Sequence, residues 1–465
     1  MAPRLLLDSL WVLGTRILMR IANFLVLMIL ARALPLEAFG TYGLAVATLL
    51  MLSFMLDFGV RQSSAVALGL KDADPDLPTH LAAATAICAF LAMVAAFVVM
   101  QSIAGSDGDR LTWIVALIAV PVMILRCLQG AQLGLGRLDQ LNLSEFLPRA
   151  LTLLGVVVLW PLGLLNLESA MIVTLVGYWV GAAYLIAVSN HLLSWRRRLS
   201  GVQLGTLFRQ GLVFAGSAIA MILLGRVSIW IIGAIAGTAD VGLYFAILRL
   251  SELPVEVAGA IGVALFSHGV RQTKGASSGA DTARAVRSVN FLLIIGVAWM
   301  AWFAEPMLRL SFGANFAAHT ELFHIMLLGT VVSCMNMMIY PCLASNGRAR
   351  VGLLAYGPGM FTAAALTWIL TPLYGLPGAA VAVLLAKVWV LTVLVIAFLR
   401  RFEVPLASLL IPSVEDFKPL LARAAALPSR LRSDKAPTRR QRQSDDIEPA
   451  ESVEIKVAER APAQP

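Results

Sequence analysis

Charge is the scarcest property of this 465-residue sequence. Only 14% of its residues are Asp, Glu, Lys or Arg, against about a quarter in an ordinary soluble domain. That deficit excludes a water-facing globular fold. Cysteine is scarce as well, at four residues. Cys88, Cys127, Cys334 and Cys342 all lie in apolar stretches, with no close-set pair and no His/Cys cluster. They read as small core residues, so neither a disulfide framework nor a metal site is expected. The sequence also lacks a Walker loop, an H-E-x-x-H and a G-x-S-x-G, the local signatures of nucleotide, zinc-protease and serine-hydrolase chemistry. No catalytic residue and no cofactor is expected. Finally, the loops assigned below to the outer face are short. The longest has roughly ten to fifteen residues, too few for a folded domain outside the membrane.

What is present in excess is apolar sequence, 59% of the chain. Six apolar stretches run at 10–34, 39–60, 81–102, 111–130, 143–165 and 170–190. After a basic break, six more run at 211–236, 241–266, 289–312, 321–343, 351–371 and 376–399. A membrane-crossing helix needs roughly 20 residues, and each stretch is that long. The expected fold class is therefore an all-α membrane protein with twelve transmembrane helices. The first stretch is no convincing cleavable signal, because Arg16 and Arg20 interrupt it and no small-x-small site follows.

The net charge of +9 would point to nucleic acid if the cations shared one soluble face. They sit instead in short loops and a tail, where the membrane accounts for them, and no nucleic-acid partner is expected. With the N-terminus inside, the cytoplasmic loops hold Arg61 and Lys71, Arg137, Arg196 to Arg198 with Arg209, Arg271 to Arg287, and Arg348 with Arg350. The opposite loops hold Arg32, Arg110 and Arg309. This asymmetry predicts cytoplasmic N- and C-termini.

The break divides the chain into a six-helix lobe at 1–195, a basic linker at 196–210 and a second six-helix lobe at 211–400. Residues 401–465 mix Arg and Lys with Asp and Glu and are rich in Pro, Ala and Ser, the composition of a disordered cytoplasmic tail. A weak echo links the halves. Phe39-Gly40-Thr41-Tyr42 matches Val241-Gly242-Leu243-Tyr244, and Gly59-Val60-Arg61-Gln62 matches Gly269-Val270-Arg271-Gln272. The two offsets differ, so an insertion of one or two helical turns is expected. Parallel repeats of this kind place a transport site between them near mid-membrane.

Ionisable residues inside the spans are the candidate site. An arginine at mid-membrane costs about 2.5–3.5 kcal/mol even on the lenient insertion scale. Arg16, Arg20 and Asn23 share one face of the first helix, by spacings of four and three. Arg226 in the seventh helix falls close to the position equivalent to Asn23. Arg249, Glu252 and Glu256 share a face of the eighth, with Pro254 between the carboxylates. Lys387 lies deep in the twelfth. Asp57, Arg126 and Arg149 lie near cytoplasmic ends and read as snorkelling side chains, with Asp57 pairing Arg61. Glu252 and Glu256 have two readings. They are carboxylates for ion coupling, or Arg249–Glu252 is a structural pair and Glu256 bonds a neighbouring helix. Buried cations outnumber buried carboxylates, and the planar arginine fork suits phosphate oxygens. A polar cavity for an anion follows, with Arg16, Arg20 and Arg226 as first candidates and Asn23, Arg249 and Lys387 as second.

Several stretches resemble one family. Ile29 to Tyr42 (ILARALPLEAFGTY) resembles the junction of the first two helices of polysaccharide flippases of the Wzx type. Leu56-Asp57-Phe58-Gly59 is similar to the end of their second helix and Gly242 to Glu252 (GLYFAILRLSE) to their eighth. Pro372 to Ala380 (PLYGLPGAA) is similar to the loop before their last helix. The resemblance spans about residues 10–400. The superfamily also holds drug/cation antiporters and the peptidoglycan-precursor flippase, which usually has fourteen helices. The resemblance implies a two-lobed, V-shaped transporter in the bacterial inner membrane. It would turn an undecaprenyl-diphosphate-linked oligosaccharide across the bilayer by alternating access, without ATP, for surface polysaccharide or lipopolysaccharide biosynthesis. Its partners would be that lipid-linked anionic glycan, membrane lipid, and a polysaccharide polymerase or assembly proteins. The rival within transport is a drug or small-molecule/cation antiporter, which needs the opposite charge balance. A polysaccharide polymerase or ligase would need a large catalytic outer loop.

Overall fold

In a bilayer every backbone N–H and C=O must find its partner inside the protein, which favours helices. Among the described residues the chain forms helices and turns and no strand. The structure is a computed structural model and describes residues 2–69, 76–104, 109–190, 200–271, 278–348, 350–406 and 409, with side chains of the first helix from Leu18 onward. The first half comprises α1 (Ala2–Ala33), α2 (Leu36–Met55), α3 (Val60–Gly69), α4 (Leu77–Ala104), α5 (Asp109–Gly134), α6 (Leu138–Leu159) and α7 (Leu167–Val188). The second comprises α8 (Gly201–Ile235), α9 (Thr238–Ser251), α10 (Leu253–Arg271), α11 (Ser278–Trp302), α12 (Ala304–Phe312), α13 (Ala314–Ala317), α14 (Thr320–Leu343) and α15 (Arg350–Phe402). Residues 201–210, expected in the linker, form the first turns of α8. The expected disordered tail lies outside the described residues beyond position 409.

Eight helices among the described residues are long and apolar enough to cross a membrane, and nine if α11 and α12, bent by 74° at their junction, count as one span. The protein is a multi-pass membrane protein. α15 has 53 residues and would run about 80 Å if straight, more than twice the hydrocarbon thickness. It kinks at Gly375, whose φ of 62° suits a residue without Cβ.

Besides the bend between α11 and α12, two further expected spans are interrupted, 39–60 at its end and 241–266 near its middle. After α2 the chain turns through Phe58 and Gly59, with φ of 44° and 74°, before α3 begins. After α9 it turns at Glu252, and α10 starts with Leu253 and Pro254. Proline has no N–H to continue the helix but is tolerated in a first turn. Pro254 therefore separates two helices where a single kinked one was expected.

Lipid provides no hydrophobic drive between helices, so close packing of small residues matters. Gly177 and Gly181 of α7 meet Pro148 of α6, where a Cβ would come within 2.8 and 2.7 Å of it. The halves meet in the same way. α2 crosses α9 at Gly40 and Gly242, and the contact is reciprocal. A Cβ on Gly40 would sit 1.7 Å from the Thr238 carbonyl oxygen, and one on Gly242 would sit 2.7 Å from that of Leu36. Gly40 and Gly242, like Leu36 and Thr238, are 202 positions apart. The ends of α1 and α8 and of α3 and α10 keep that offset. The first sequence echo thus lies on a local pseudo-twofold. The second does not, because Gly59 precedes α3 while Gly269 lies near the end of α10. The extra residues fall later, around α12 and α13.

Beside this crossing one end is sealed by aromatic rings. Phe39 packs on Phe245 and Phe316 at centroid distances of 6.1 and 6.4 Å, and Phe24 on Phe312 at 6.1 Å. The apolar side chains left exposed, such as Phe90, Trp113, Leu154 and Trp368, suit contact with lipid.

Candidate functional site

α1 shows why its arginines are tolerable. Met19, Ala22, Val26 and Leu30 are buried, and α1 packs on α6. Leu18, Ile21 and Leu25 form an exposed apolar stripe. Arg20 and Asn23 are exposed on the face opposite that stripe. A helix with one exposed apolar face and one exposed polar face suits lipid on one side and a water-filled cavity on the other. Arg16 falls on the polar face by helical spacing, and its side chain lies outside the described residues.

The polar face of α1 meets the break between α9 and α10. Glu256, in the first turn of α10, forms an ion pair with Arg20 across the two halves. An N-terminal helix turn favours a carboxylate there. One turn earlier Glu252 ends α9. Its Oε2 accepts a hydrogen bond from Arg226 Nη2 of α8 at 2.9 Å and lies 3.5 Å from Arg249 Nη1. Arg249 also stands over the Phe245 ring, 5.1 Å from its centroid. Lys387 of α15 is within electrostatic reach of both Glu252 and Arg226, with its backbone oxygen accepting from Asn336 Nδ2 at 3.3 Å.

Six of the eight sequence-derived site residues therefore converge: Arg20, Arg226, Arg249 and Lys387 with Glu252 and Glu256. Side-chain exposure falls from 58% at Arg20 and 43% at Glu256 to 12% at Arg226, so the cluster has a mouth and a floor. It lies about 14–20 Å along α1, α8 and α9 from the ends nearest the aromatic seal, at 1.5 Å per residue. That is near mid-depth of a hydrocarbon core about 30 Å thick. Four cations face two carboxylates. The Arg226 Nη1 atom is buried and has no hydrogen-bond partner among the described residues, and Lys387 has no carboxylate within ion-pair distance there. Buried polar groups normally have partners. This site has donors to spare.

Three expectations change. Asp57 does not pair with Arg61, and Arg126 does not snorkel. Arg126 Nε of α5 donates to Asp57 Oδ2 at 2.6 Å, with both side chains buried. The backbone N–H of Gly59 donates to Asp57 Oδ1 at 2.8 Å, and the guanidinium lies 3.4 Å from the centre of the Phe54 ring. The positive φ at Phe58 and Gly59 turns the chain so that Asp57 faces α5, while Arg61 is carried into α3. Arg149 is held inward as well, donating to the Glu145 carbonyl and reaching the Met19 sulfur of α1 at 3.6 Å. Finally, Glu252 and Glu256 belong to different helices and pair with different arginines, so the structural pairing of Arg249 with Glu252 is present.

Sequence reasoning passed over Tyr42. It lies buried on α2 within hydrogen-bonding reach of Thr174 of α7 and within electrostatic reach of Arg249. A tyrosine deep in an apolar stretch was the available clue. Its hydroxyl needs a polar neighbour.

A family model described as "Polysaccharide biosynthesis protein" matches residues 5–266. The match covers more than half of the chain. This protein belongs to that family. No curated protein sequence matches it. Among solved structures, the lipid II flippase MurJ in an inward closed conformation is similar at TM-score 0.69 and 12% identity, over 92% of this chain and 94% of that one. An inward-facing multidrug resistance MATE family transporter of the MOP superfamily is similar at TM-score 0.66 and 14% identity, over 83% and 94%. A MOP superfamily transporter from Pyrococcus furiosus, described by the reverse polarity of its binding pocket, is similar at TM-score 0.54 and 14% identity, over 85% and 93%. At these identities the likeness concerns the fold. The family member has a MOP-superfamily transporter fold.

Proposed function

We propose that the protein is a flippase of the bacterial inner membrane that turns undecaprenyl-diphosphate-linked oligosaccharide repeat units across the bilayer by alternating access, for surface polysaccharide biosynthesis. One observation carries the reading: the central cluster holds more cations than carboxylates, with Arg226 Nη1 left without a partner among the described residues. A diphosphate provides the missing charge and acceptors. Arg226 and Arg249 form the floor of its site, Arg20 the mouth, and Lys387 adds charge from α15. Arg16 and Asn23 extend the polar face of α1 along which the sugar headgroup passes, while the lipid tail stays in the bilayer. Glu252 and Glu256 are the coupling carboxylates, able to take up a cation when an anion occupies their arginines. Outward movement of each negative charge is favoured by about 2.3 kcal/mol per 100 mV, inside negative.

Taking α2 with α3, α9 with α10 and α11 with α12 as single spans, and α15 as two, is compatible with twelve spans in two lobes, and the loop charges favour cytoplasmic termini. The aromatic seal then lies at the outer end, as an inward-facing state requires. Drug or cation antiport fits less well, since a site for cations should be anionic. The described polarity of the Pyrococcus furiosus pocket is a precedent for pocket charge differing within this fold.

Loss of the gene should make cells accumulate lipid-linked repeat units on the cytoplasmic side. The wild-type gene should clear them, and Arg226→Gln should not at equal membrane abundance. Full complementation by both Arg226→Gln and the Arg16→Ala/Arg20→Ala double variant would remove the arginines from the mechanism.

A further inference from the structure

Each carboxylate in the central cluster occupies an arginine that the proposed substrate also needs. Glu252 takes Arg226 and Arg249, and Glu256 takes Arg20. These pairs differ in what they connect. Arg226, Arg249 and Glu252 all belong to the second half, so rearranging them leaves the halves where they are. Arg20 belongs to α1 and Glu256 to α10, so their pair ties the two halves together beside the cluster.

We propose that Glu256 is an internal stand-in for the substrate diphosphate: it latches α1 to α10 while the site is empty, and an incoming diphosphate displaces it from Arg20 and releases the latch. This inference rests on the anion-site reading above and adds a competition to it. Three features favour displacement at Glu256 over Glu252. The Arg20–Glu256 pair is the more exposed, at 58% and 43% against 12% and 22% for Arg226–Glu252. Exposed pairs are weak, typically contributing no more than about 1 kcal/mol. Among the described residues Arg20 has one carboxylate partner, whereas Glu252 is held by two arginines. Finally, Arg226 and Arg249 are both within electrostatic reach of Glu256, so a displaced Glu256 stays among cations and remains available to reclaim Arg20 when the anion leaves. A diphosphate bears two charged groups one bridging oxygen apart. It therefore offers acceptors to more than one of these cations, where the Glu256 carboxylate is paired with Arg20. The competition favours diphosphate over monophosphate, because two charged groups can engage two cationic partners at once.

The test uses the full-length protein in lipid nanodiscs with inorganic pyrophosphate and orthophosphate as probes. Binding is measured by calorimetry, and the separation of α1 and α10 by spin labels at Leu18 and Val257, both exposed. The expected result has three parts. Wild type binds pyrophosphate more tightly than orthophosphate, and binding lengthens the α1–α10 distance. Glu256→Gln binds pyrophosphate about two- to fivefold more tightly, the scale of removing one exposed competing pair, and shows the longer distance before ligand is added. The control Glu305→Gln, at an exposed pair remote from the cluster, changes neither. If wild type binds pyrophosphate but Glu256→Gln has wild-type affinity and spacing, the latch is overturned and the anion site stands. If neither protein binds pyrophosphate, the anion site fails and the latch with it.

Discussion

Two intramembrane charge clusters lie beside two of the interrupted spans, and they differ in what they leave over. At the break between α2 and α3, Asp57 meets Arg126, a backbone N–H caps its second oxygen, and an aromatic ring covers the guanidinium. Charge is balanced and both side chains are buried. At the break between α9 and α10, two carboxylates serve three arginines with Lys387 close by, and a buried guanidinium nitrogen has no partner among the described residues. A closed pair fixes helices against each other. An open cluster with surplus donors suits an incoming anion, the role proposed for it. In the proposed reading the unmatched charge, more than intramembrane charge as such, points to the site.

The comparison can be broken first at Asp57. Asp57→Asn leaves Arg126 buried and unpaired, and losing one partner of a buried pair costs about 3–5 kcal/mol. We expect a large fall in thermal stability in detergent, partly recovered in Asp57→Asn/Arg126→Gln. A stable Asp57→Asn protein that fails to transport would make this pair part of the mechanism. At the open cluster the balance reverses. Arg226→Gln should weaken pyrophosphate binding tenfold or more, about 1.4 kcal/mol, while its fold survives because Glu252 keeps Arg249. Lys387→Met sharpens the contrast further. Removing a cation with no paired carboxylate should weaken binding a few-fold yet leave the melting temperature unchanged or raised, since burying an unpaired charge is unfavourable. The smallest effect belongs outside both clusters. Arg309→Ala breaks an exposed pair with Glu305, and its stability change should stay within about 0.5 kcal/mol.

Much of this was legible in the sequence because it is local. Helical spacing put Arg20 and Asn23 on one face of α1, and that face is exposed opposite the lipid stripe. Pro254 marked the break beside Glu252, although a kink was expected where the helix stops. The Gly40/Gly242 echo marked equivalent helix starts, but nothing in the letters said that these two glycines touch. The errors share one cause. A spacing of four makes Arg61 a helical neighbour of Asp57, and the positive φ at Phe58 and Gly59 removes that neighbourhood. Arg126 was assigned to the membrane surface because depth was judged from one helix, whereas a partner on α2 makes burial tolerable. Tyr42 was passed over because its neighbours, Thr174 and Arg249, lie far away in sequence.

The sequence by itself determined a helical membrane protein, one interruption within its spans, at Pro254, and an excess of intramembrane cations. Those follow from composition and from periodicity within single helices. Only the tertiary structure decided which charge meets which. Arg126 and Asp57 are 69 positions apart and Arg226 and Glu252 are 26 apart, while Arg20 and Glu256 come from opposite halves. An ion pair needs charged atoms within about 4 Å. Periodicity fixes the face a residue occupies on its own helix, but the approach of two helices is set by packing elsewhere, here by close crossings such as that of Gly40 and Gly242.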